Sequence, residues 1–541
     1  MILKMNDLET ADADIGGMMS QGSGRRMGGS EARRQKRVQE IPEEMRPVRS
    51  GQESGRYLPL SESEMDTIHE NALRVLENIG LADAIPSCVK KLKALGCWMT
   101  SEGRLLIPRN VVEKALGLAA KDLTLYGQIP EHDMMLSGTK IYFGTAGAAV
   151  HIVEPQARVY RESTARDLYD LSRLCDRLEH IHFFQRPIVC RDLDDPREMD
   201  LNTCYASVCG TTKHVGTSFV QPEHVEEALK MLHIIAGSED KWRVRPFVSM
   251  SSCFVVPPLK FAEDASRCLE TGVYGGMPIL LLSAGQAGAT APATVAGAVV
   301  QSVAEVLAGV VYVNALVPGA AAIFGTWPFV SDLRTGAMSG GSGEQAILMA
   351  ACAQMGRYYN LPTGIAAGMT DSKIPDAQSG FEKSYTVTLA AHSGANLIYE
   401  SAGMQASLLG CCPESYVIDN DMLGAINRTV RGIEIDEDTL AYETIRQVCT
   451  EGPGHYLGHE QTLFRMQTDY LYPEVGDREN INNWIEQGST DIVQRASKKT
   501  AELLEHHFPE HISEEMDQKI RGLFPIRFDR TPMIFRESIV A

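Results

Sequence analysis

The densest run of reactive side chains in the sequence is Gly368-Met-Thr-Asp-Ser-Lys-Ile-Pro-Asp-Ala-Gln-Ser-Gly-Phe-Glu382. It leaves an apolar stretch, alternates carboxylates with an amine, and enters a helix for which Asp376 reads as the N-cap. Asp371, Lys373 and Gln378 are its candidates for catalysis or binding; the alternative is a solvated connection. A second loop, Gly452-Pro-Gly-His-Tyr-Leu-Gly-His459, sets His455 and His459 four apart among glycines. Two ligands do not make a metal site, so this loop reads as a lid or orienting segment, and no metal site is assigned. Further polar and aromatic residues end apolar stretches: Gln185 and Arg186, Ser218 and Gln221, Ser251 and Ser252, Ser283, Thr326 and Trp327, and Tyr399, Glu400 and Ser401. His214 lies within such a stretch, where it is either a base or a satisfied core residue. No Ser-His-Asp, metal-ligand or phosphate-loop pattern accompanies them.

Elements of one kind are needed to bring these residues together. Short apolar strands are predicted to begin near His182, His214, Phe247, Pro278, Ala321, Thr363 and Asn396. Their spacing of about 31 to 43 residues leaves room for a crossover helix each time. Helices are predicted at 198–211, 222–236, 258–272, 291–315, 342–359 and 378–393. Such a repeat indicates an α/β fold of the (β/α)8 TIM barrel type, whose chemistry sits at the C-terminal ends of the strands. An open doubly wound sheet fits less well, because no Gly-x-Gly-x-x-Gly turn follows an early strand. Tyr416-Val-Ile418 is the short candidate for an eighth strand, and residues 138–163 read as a hairpin preceding the barrel. The expected organisation is a basic arm over residues 1–52, a helical module over 53–135, the barrel over 136–430, and a helical C-terminal module with an extended tail over 431–541. Ser61 to Glu64 resembles a capping box opening the first helix.

The 541 residues carry a formal net charge of −19, which argues against wrapping around nucleic acid. The most apolar stretch, Ala291 to Val317, is interrupted by Gln301, Ser302, Glu305 and Asn314, so it reads as a core helix rather than a membrane span. No secretory signal is evident at the start. The twelve cysteines form no Cys-x-x-Cys pair, and they read as reduced, mostly buried thiols of a cytoplasmic protein. Arg25-Arg26 and Arg33-Arg34-Gln-Lys-Arg37 make the first segment basic on an acidic protein. Such an arm and the long tail suggest a homo-oligomer.

Several segments also share a family likeness. They are Ser54-Gly-Arg-Tyr-Leu-Pro-Leu-Ser61, Phe143-Gly-Thr-Ala-Gly147, Lys213-His214-Val215, Ser331-Asp-Leu-Arg-Thr-Gly336, Gly368 to Gln378 and Gly452 to His459. Together they resemble the trimethylamine methyltransferase family of corrinoid-dependent methylamine methyltransferases, from about Gly55 to Pro525. The resemblance implies a (β/α)8 barrel that passes a methyl group to the cobalt of a separate corrinoid protein. It implies no cofactor held tightly by this chain. The founding trimethylamine enzymes contain pyrrolysine, whereas every residue here is a standard amino acid. Relatives lacking pyrrolysine act on quaternary amines such as glycine betaine, and that substrate class is what the resemblance implies.

The chemistry agrees with that departure. A quaternary ammonium already carries positive charge on nitrogen and leaves as a neutral tertiary amine, so no acid catalyst is required. The protein has to hold a permanent cation and keep its methyl accessible. Organic cations are attracted to aromatic faces by about 0.5–2 kcal/mol per contact, which makes Trp327, Phe329, Tyr399 and Phe324 candidates. Glu400 and Asp371 are suited to balance the cation. A substrate carboxylate would be anchored by Arg186, His455 or His459. Two other readings stay open: a non-catalytic quaternary-amine binding or regulatory protein, and a lyase using Lys373 as a Schiff-base amine.

Overall fold

The computed structural model describes residues 58–530 apart from Pro453 and Gly458, with the backbone alone for Gln467 and Thr468. Within it the strand–helix alternation appears as eight strands, each followed by a helix. The basic arm expected over residues 1–52 and the end of the C-terminal tail lie outside the described residues. The strands are β1 (Tyr142–Phe143), β2 (Phe183–Gln185), β3 (His214–Thr217), β4 (Val248–Ser252), β5 (Ile279–Ser283), β6 (Ala322–Thr326), β7 (Gly364–Ala366) and β8 (Leu397–Tyr399). The helices that follow them are α1 (Ala165–Arg177), α2 (Pro196–Gly210), α3 (Pro222–Ala236), α4 (Glu263–Tyr274), α5 (Val295–Leu316), α6 (Gly343–Tyr358), α7 (Ala377–His392) and α8 (Pro413–Arg431).

Strands β2 to β6 pair in parallel in chain order, as do β7 and β8. Phe324 of β6 bridges Thr363 just before β7. Tyr142 and Phe143 of β1 pair with Leu397 and Ile398 of β8, and Gly144 bridges Phe183 of β2. The order of pairing therefore runs from β1 to β8 and returns to β1. The outward face of these strands is apolar, as sheets covered by helices require, whereas the inward face mixes apolar side chains with Gln185, His214 and Ser249. On β5, Leu280 and Leu282 join a small inner cluster while Ile279 and Leu281 join the larger cluster beneath the helices. On β8, Leu397 and Tyr399 face inward and Ile398 outward.

The structure departs from two sequence expectations. Tyr416 to Ile418 is not a strand: it lies in α8, which Pro413 opens from its first turn. The remaining strand is instead β1, inside the stretch read as a hairpin. Only two residues of it pair in a named strand, and Gly144-Thr-Ala-Gly147 follows at once, so no apolar body marks it in the sequence. The hairpin itself exists farther on, where His151–Glu154 pairs with Val159–Glu162.

Helix α5 is long and apolar enough to cross a membrane, but most of it is buried and it packs along Glu62–Asn78 and Arg109–Leu118. Its Glu305 accepts hydrogen bonds from Leu259 N (2.9 Å) and Ser283 Oγ (2.5 Å), which gives the charge in this apolar run its partners. The helix Glu62–Asn78 begins with the Ser61–Glu64 capping box. The N-terminal region also contributes short strands, one of which, Leu81–Ala82, pairs with Lys260–Phe261 from the connection after β4.

The floor of the ring, at the N-terminal ends of its strands, is closed by an antiparallel pair, Leu123–Leu125 with Met134–Leu136. Leu125, Met134 and Leu136 belong to the inner cluster. Beyond α8, the helix Ile492–His506 packs on α8 and α1. Arg173 of α1 donates to Leu504 O at 2.7 Å and His507 O at 2.8 Å, holding that helix end in place.

Candidate functional site

An aromatic layer fills the interior of the ring. The Trp327 ring centre lies 4.9 Å from that of Tyr399, and Phe183 meets Tyr399 edge-on at 4.8 Å. Trp327 Nε1 donates to Gly364 O at 3.1 Å, so the indole is fixed by a hydrogen bond as well as by packing. Gly364 has to be a glycine here: a Cβ would come within 2.7 Å of the Tyr399 ring. All three aromatics are buried.

Glu400 follows Tyr399 and leaves the strand with φ of +59°, a left-handed conformation that costs a non-glycine residue on the order of 1–3 kcal/mol. Gly368 packs against this turn, since a Cβ there would come 2.7 Å from Glu400 O. The Glu400 side chain is 2% exposed, and its Oε2 has no hydrogen-bond partner among the described residues. Burial pushes its carboxyl up to about 8. A buried acid without a cation beside it is neutral at pH 7 and ionises when a cation arrives. Ser251, at the end of β4, likewise has a buried hydroxyl without a partner.

Arg186, just beyond β2, is a cation at this end of the ring. Its Nε and Nη2 both donate to Ser218 Oγ, at 3.0 and 2.9 Å. No carboxylate among the described residues lies within ion-pair distance of it. Burial lowers its pKa, opposed by Cys190, Asp200 and Cys253 nearby. Nη1 adds a longer bond to Ile188 O at 3.5 Å, so three hydrogen bonds leave two of the five guanidinium donors for a ligand. Gln185 beside it lies across Gly216, whose missing side chain admits the amide.

Asp371 ties three loops together. It accepts hydrogen bonds from Ser339 Oγ at 2.7 Å and Gly340 N at 2.8 Å, in the connection after β6. It also accepts one from Ser407 Oγ, in the connection after β8. Its own loop is braced by Glu382, which accepts from Thr370 Oγ1 at 2.5 Å and Asp371 N at 2.8 Å. Asp371 therefore holds the rim in shape. Asp371→Ala is expected to lower unfolding stability by about 2–3 kcal/mol, the scale of lost bonds to a charged acceptor. Urea denaturation measures that loss, and faster proteolytic nicking of residues 404–411 reports the loosened rim.

Other candidates of that loop face outward. Lys373 is exposed and donates to Asp371 O at 2.5 Å; this is no desolvated amine of the kind a Schiff base needs. Gln378 is exposed and bonded to Glu382 Oε1 at 2.8 Å. Asp376 caps α7 through Ser379 N, as its position predicts.

Several candidates lie away from the strand ends. His214 opens β3 on the floor side, where Nδ1 donates to Tyr126 O (2.8 Å) and Nε2 accepts from Ser249 Oγ (2.9 Å). Burial lowers its pKa to about 4, leaving a neutral core histidine with both nitrogens satisfied. His455 is exposed. His459 caps the helix Glu460–Thr468. That segment is fastened to the C-terminal end of α8, where Arg428 donates to Asp469 O at 2.8 Å. A helix following a strand runs back toward the strand's start, so this contact places Asp469 on the floor side. Neither histidine hydrogen-bonds to a rim residue among the described residues. Phe324 faces the helices and packs on Tyr359. Phe329 is half-buried and packs against the inner cluster from the connection after β6.

Sequence reasoning missed Phe183, which was legible as an inward position by alternation from Gln185.

Among the described residues no group of three His, Cys, Asp or Glu side chains is arranged to hold a metal ion. The polar groups at the rim offer a cationic donor set and an isolated acid, suited to a small charged organic molecule. Residues 25–527 match the family model described as trimethylamine methyltransferase (MTTB). The trimethylamine methyltransferase MttB of Desulfitobacterium hafniense (strain DSM 10664 / DCB-2) is 32% identical over 464 residues, covering 86% of this chain and 92% of that protein. A glycine betaine methyltransferase of Desulfitobacterium hafniense (strain Y51) is 28% identical over 479 residues, covering 88% and 98%. Among solved structures, a dihydropteroate synthase from Coxiella burnetii aligns with 57% of this chain and 99% of its own, at 12% identity and a TM-score of 0.35. The chain belongs to the trimethylamine methyltransferase family of methyltransferases.

Proposed function

We propose that this chain, as a (β/α)8 barrel, transfers an N-methyl group from a quaternary amine of the glycine betaine class to a corrinoid held by a separate protein. The observation that carries the reading is Glu400, a buried acid with an unpartnered oxygen that directly follows Tyr399 of the aromatic layer. That combination suits a permanent cation, which the rings attract and the carboxylate neutralises. The corrinoid of the partner supplies the Co(I) nucleophile that accepts the methyl group. In this reading the chain's own residues bind and orient. Trp327 and Tyr399 present aromatic surface to the ammonium, Glu400 gives up its proton and balances the charge, and the Asp371 clamp keeps the rim loops in place. The breaking C–N bond leaves its electron pair on nitrogen, so the product departs as a neutral tertiary amine and no acid is consumed.

Arg186 supports a donor that carries a carboxylate, because its guanidinium has no acidic partner among the described residues and keeps free donors. Calorimetry with glycine betaine and with tetramethylammonium separates the two halves of the site. Arg186→Met is expected to weaken glycine betaine about ten- to a hundredfold, the equivalent of roughly 1.4–2.8 kcal/mol, and to leave tetramethylammonium nearly unchanged. Equal loss for both ligands would remove Arg186 as the anchor. Demethylated amine formed on mixing chain, donor and reduced corrinoid protein tests the transfer; binding without that product favours a binding or regulatory protein.

A further inference from the structure

We infer that the outward apolar face of residues 433–472 is the interface through which this chain pairs with a second copy of itself. Amphipathic helices ordinarily turn their apolar stripe toward the core. Here the helix Tyr442–Thr450 buries Val448 but points Tyr442 and Ile445 outward, and the helix Glu460–Thr468 exposes Leu463 and Phe464. The connections add Ile433, 89% exposed, and Leu457, 80% exposed. Side chains of this size carry on the order of 150–250 Å² each when aromatic. Together these six exceed the few hundred Å² of apolar patch a monomer usually shows, and approach the ~800 Å² that each partner of a stable pair covers.

Charge narrows the occupant. Both arginines of the face are already engaged within the chain, Arg446 by Glu443 and Glu451 and Arg465 by Asp438 and Asp469. The segment contains no lysine, so no free arginine or lysine is available there for nucleic acid or an anionic membrane. Glu437 and Glu460 stay exposed beside the apolar side chains. The face also adjoins the floor of the ring: a Cβ on Gly424 of α8 would touch both His180, which precedes β2, and Leu471. A protein that has to reach the rim is poorly served by a seat there, whereas a second copy places identical apolar faces together and leaves both rims open.

Two acidic-edged faces repel weakly, so self-pairing should tighten as salt rises, while a basic partner would bind less well. Sedimentation velocity on the full chain is therefore run from about 50 mM to about 500 mM sodium chloride, over which the Debye length shrinks roughly threefold. The expected result is a species of twice the 59.3 kDa chain mass, tighter at high salt. Tyr442→Ser combined with Leu463→Ser is expected to weaken pairing about a hundredfold while its thermal midpoint stays within a few degrees of native. A chain of single mass at every concentration, pairing that loosens with salt, or unchanged pairing in a folded double variant would each overturn the inference. Leu457→Ser, in the connection between the two helices, repeats the test of this face if the double variant fails to fold: weaker pairing is expected, and unchanged pairing would overturn the inference.

Discussion

A Glu400→Gln variant is expected to bind a quaternary ammonium about ten- to a hundredfold more weakly than the native chain at pH 8, with an affinity that no longer depends on pH. The reasoning starts from the empty site, where burial holds the Glu400 carboxyl up near 8 and therefore largely protonated at pH 7. A bound cation stabilises the ionised form, so each binding event near pH 7 releases close to one proton. Native affinity accordingly rises with pH up to about 8 and then levels, because no proton is left to displace. Calorimetry in buffers of different ionisation enthalpy counts the protons directly. Zero proton release with native affinity would show that Glu400 does not face the cation. The sign for stability is the reverse of that for affinity. A carboxyl raised above its ordinary value of 4.5 stabilises the fold fully below that value, and the contribution is lost as pH rises through about 8. In the absence of ligand, Glu400→Gln should flatten that decline, and the dependence of the thermal midpoint on pH measures it.

The second large effect is on folding. Lys213 is fully buried beneath the ring, and its ammonium donates to Cys175 O (2.7 Å), Leu178 O (2.8 Å) and Ile181 O (2.5 Å). Burial lowers its pKa to about 8, so at pH 7 it is still mostly charged and can supply three N–H groups to three carbonyls. Two of those carbonyls belong to the end of α1 and its exit, where a cation also meets the negative end of the helix. Lys213→Met fills similar space but leaves the carbonyls buried and unpaired, at about 1–3 kcal/mol each before relaxation. The expected loss is about 3–5 kcal/mol, read as a lower urea midpoint. A loss below about 1 kcal/mol would mean that water or rearrangement satisfies those carbonyls.

Lys213 and His214 also show how far chemical reading of a sequence reaches. Both look reactive, and both begin β3 rather than end it. Strand direction alone assigns them to the floor, whereas Arg186, Trp327 and Glu400 come after their strands and lie at the rim. Strands β2 to β8 were legible because each has an apolar body and a crossover helix of sufficient length behind it. Strand β1 was not, since two paired residues followed by glycine leave no periodic trace. Tyr416 to Ile418 misled through its strand-like residue types, and Pro413 at the helix start outweighs them. The pair His455 and His459 misled differently. A segment that follows the last helix of a ring can return to either end, and only its contacts with α8 show which. Asp371 was identified as important on the strength of its loop, but its role as a clamp depends on Ser339, Gly340 and Ser407, whose approach no local pattern encodes.

The layer of Phe183, Tyr399 and Trp327 has a consequence for traffic. It stoppers the ring partway down, and the hairpin of Leu123–Leu125 with Met134–Leu136 seals the other end. Whatever enters must come and go by the rim, and the water it displaces must leave through the same opening. Entry, drying and release are thus serial events at one doorway. A neighbouring protein seated over that doorway would set the residence time of a ligand without touching any group that binds it.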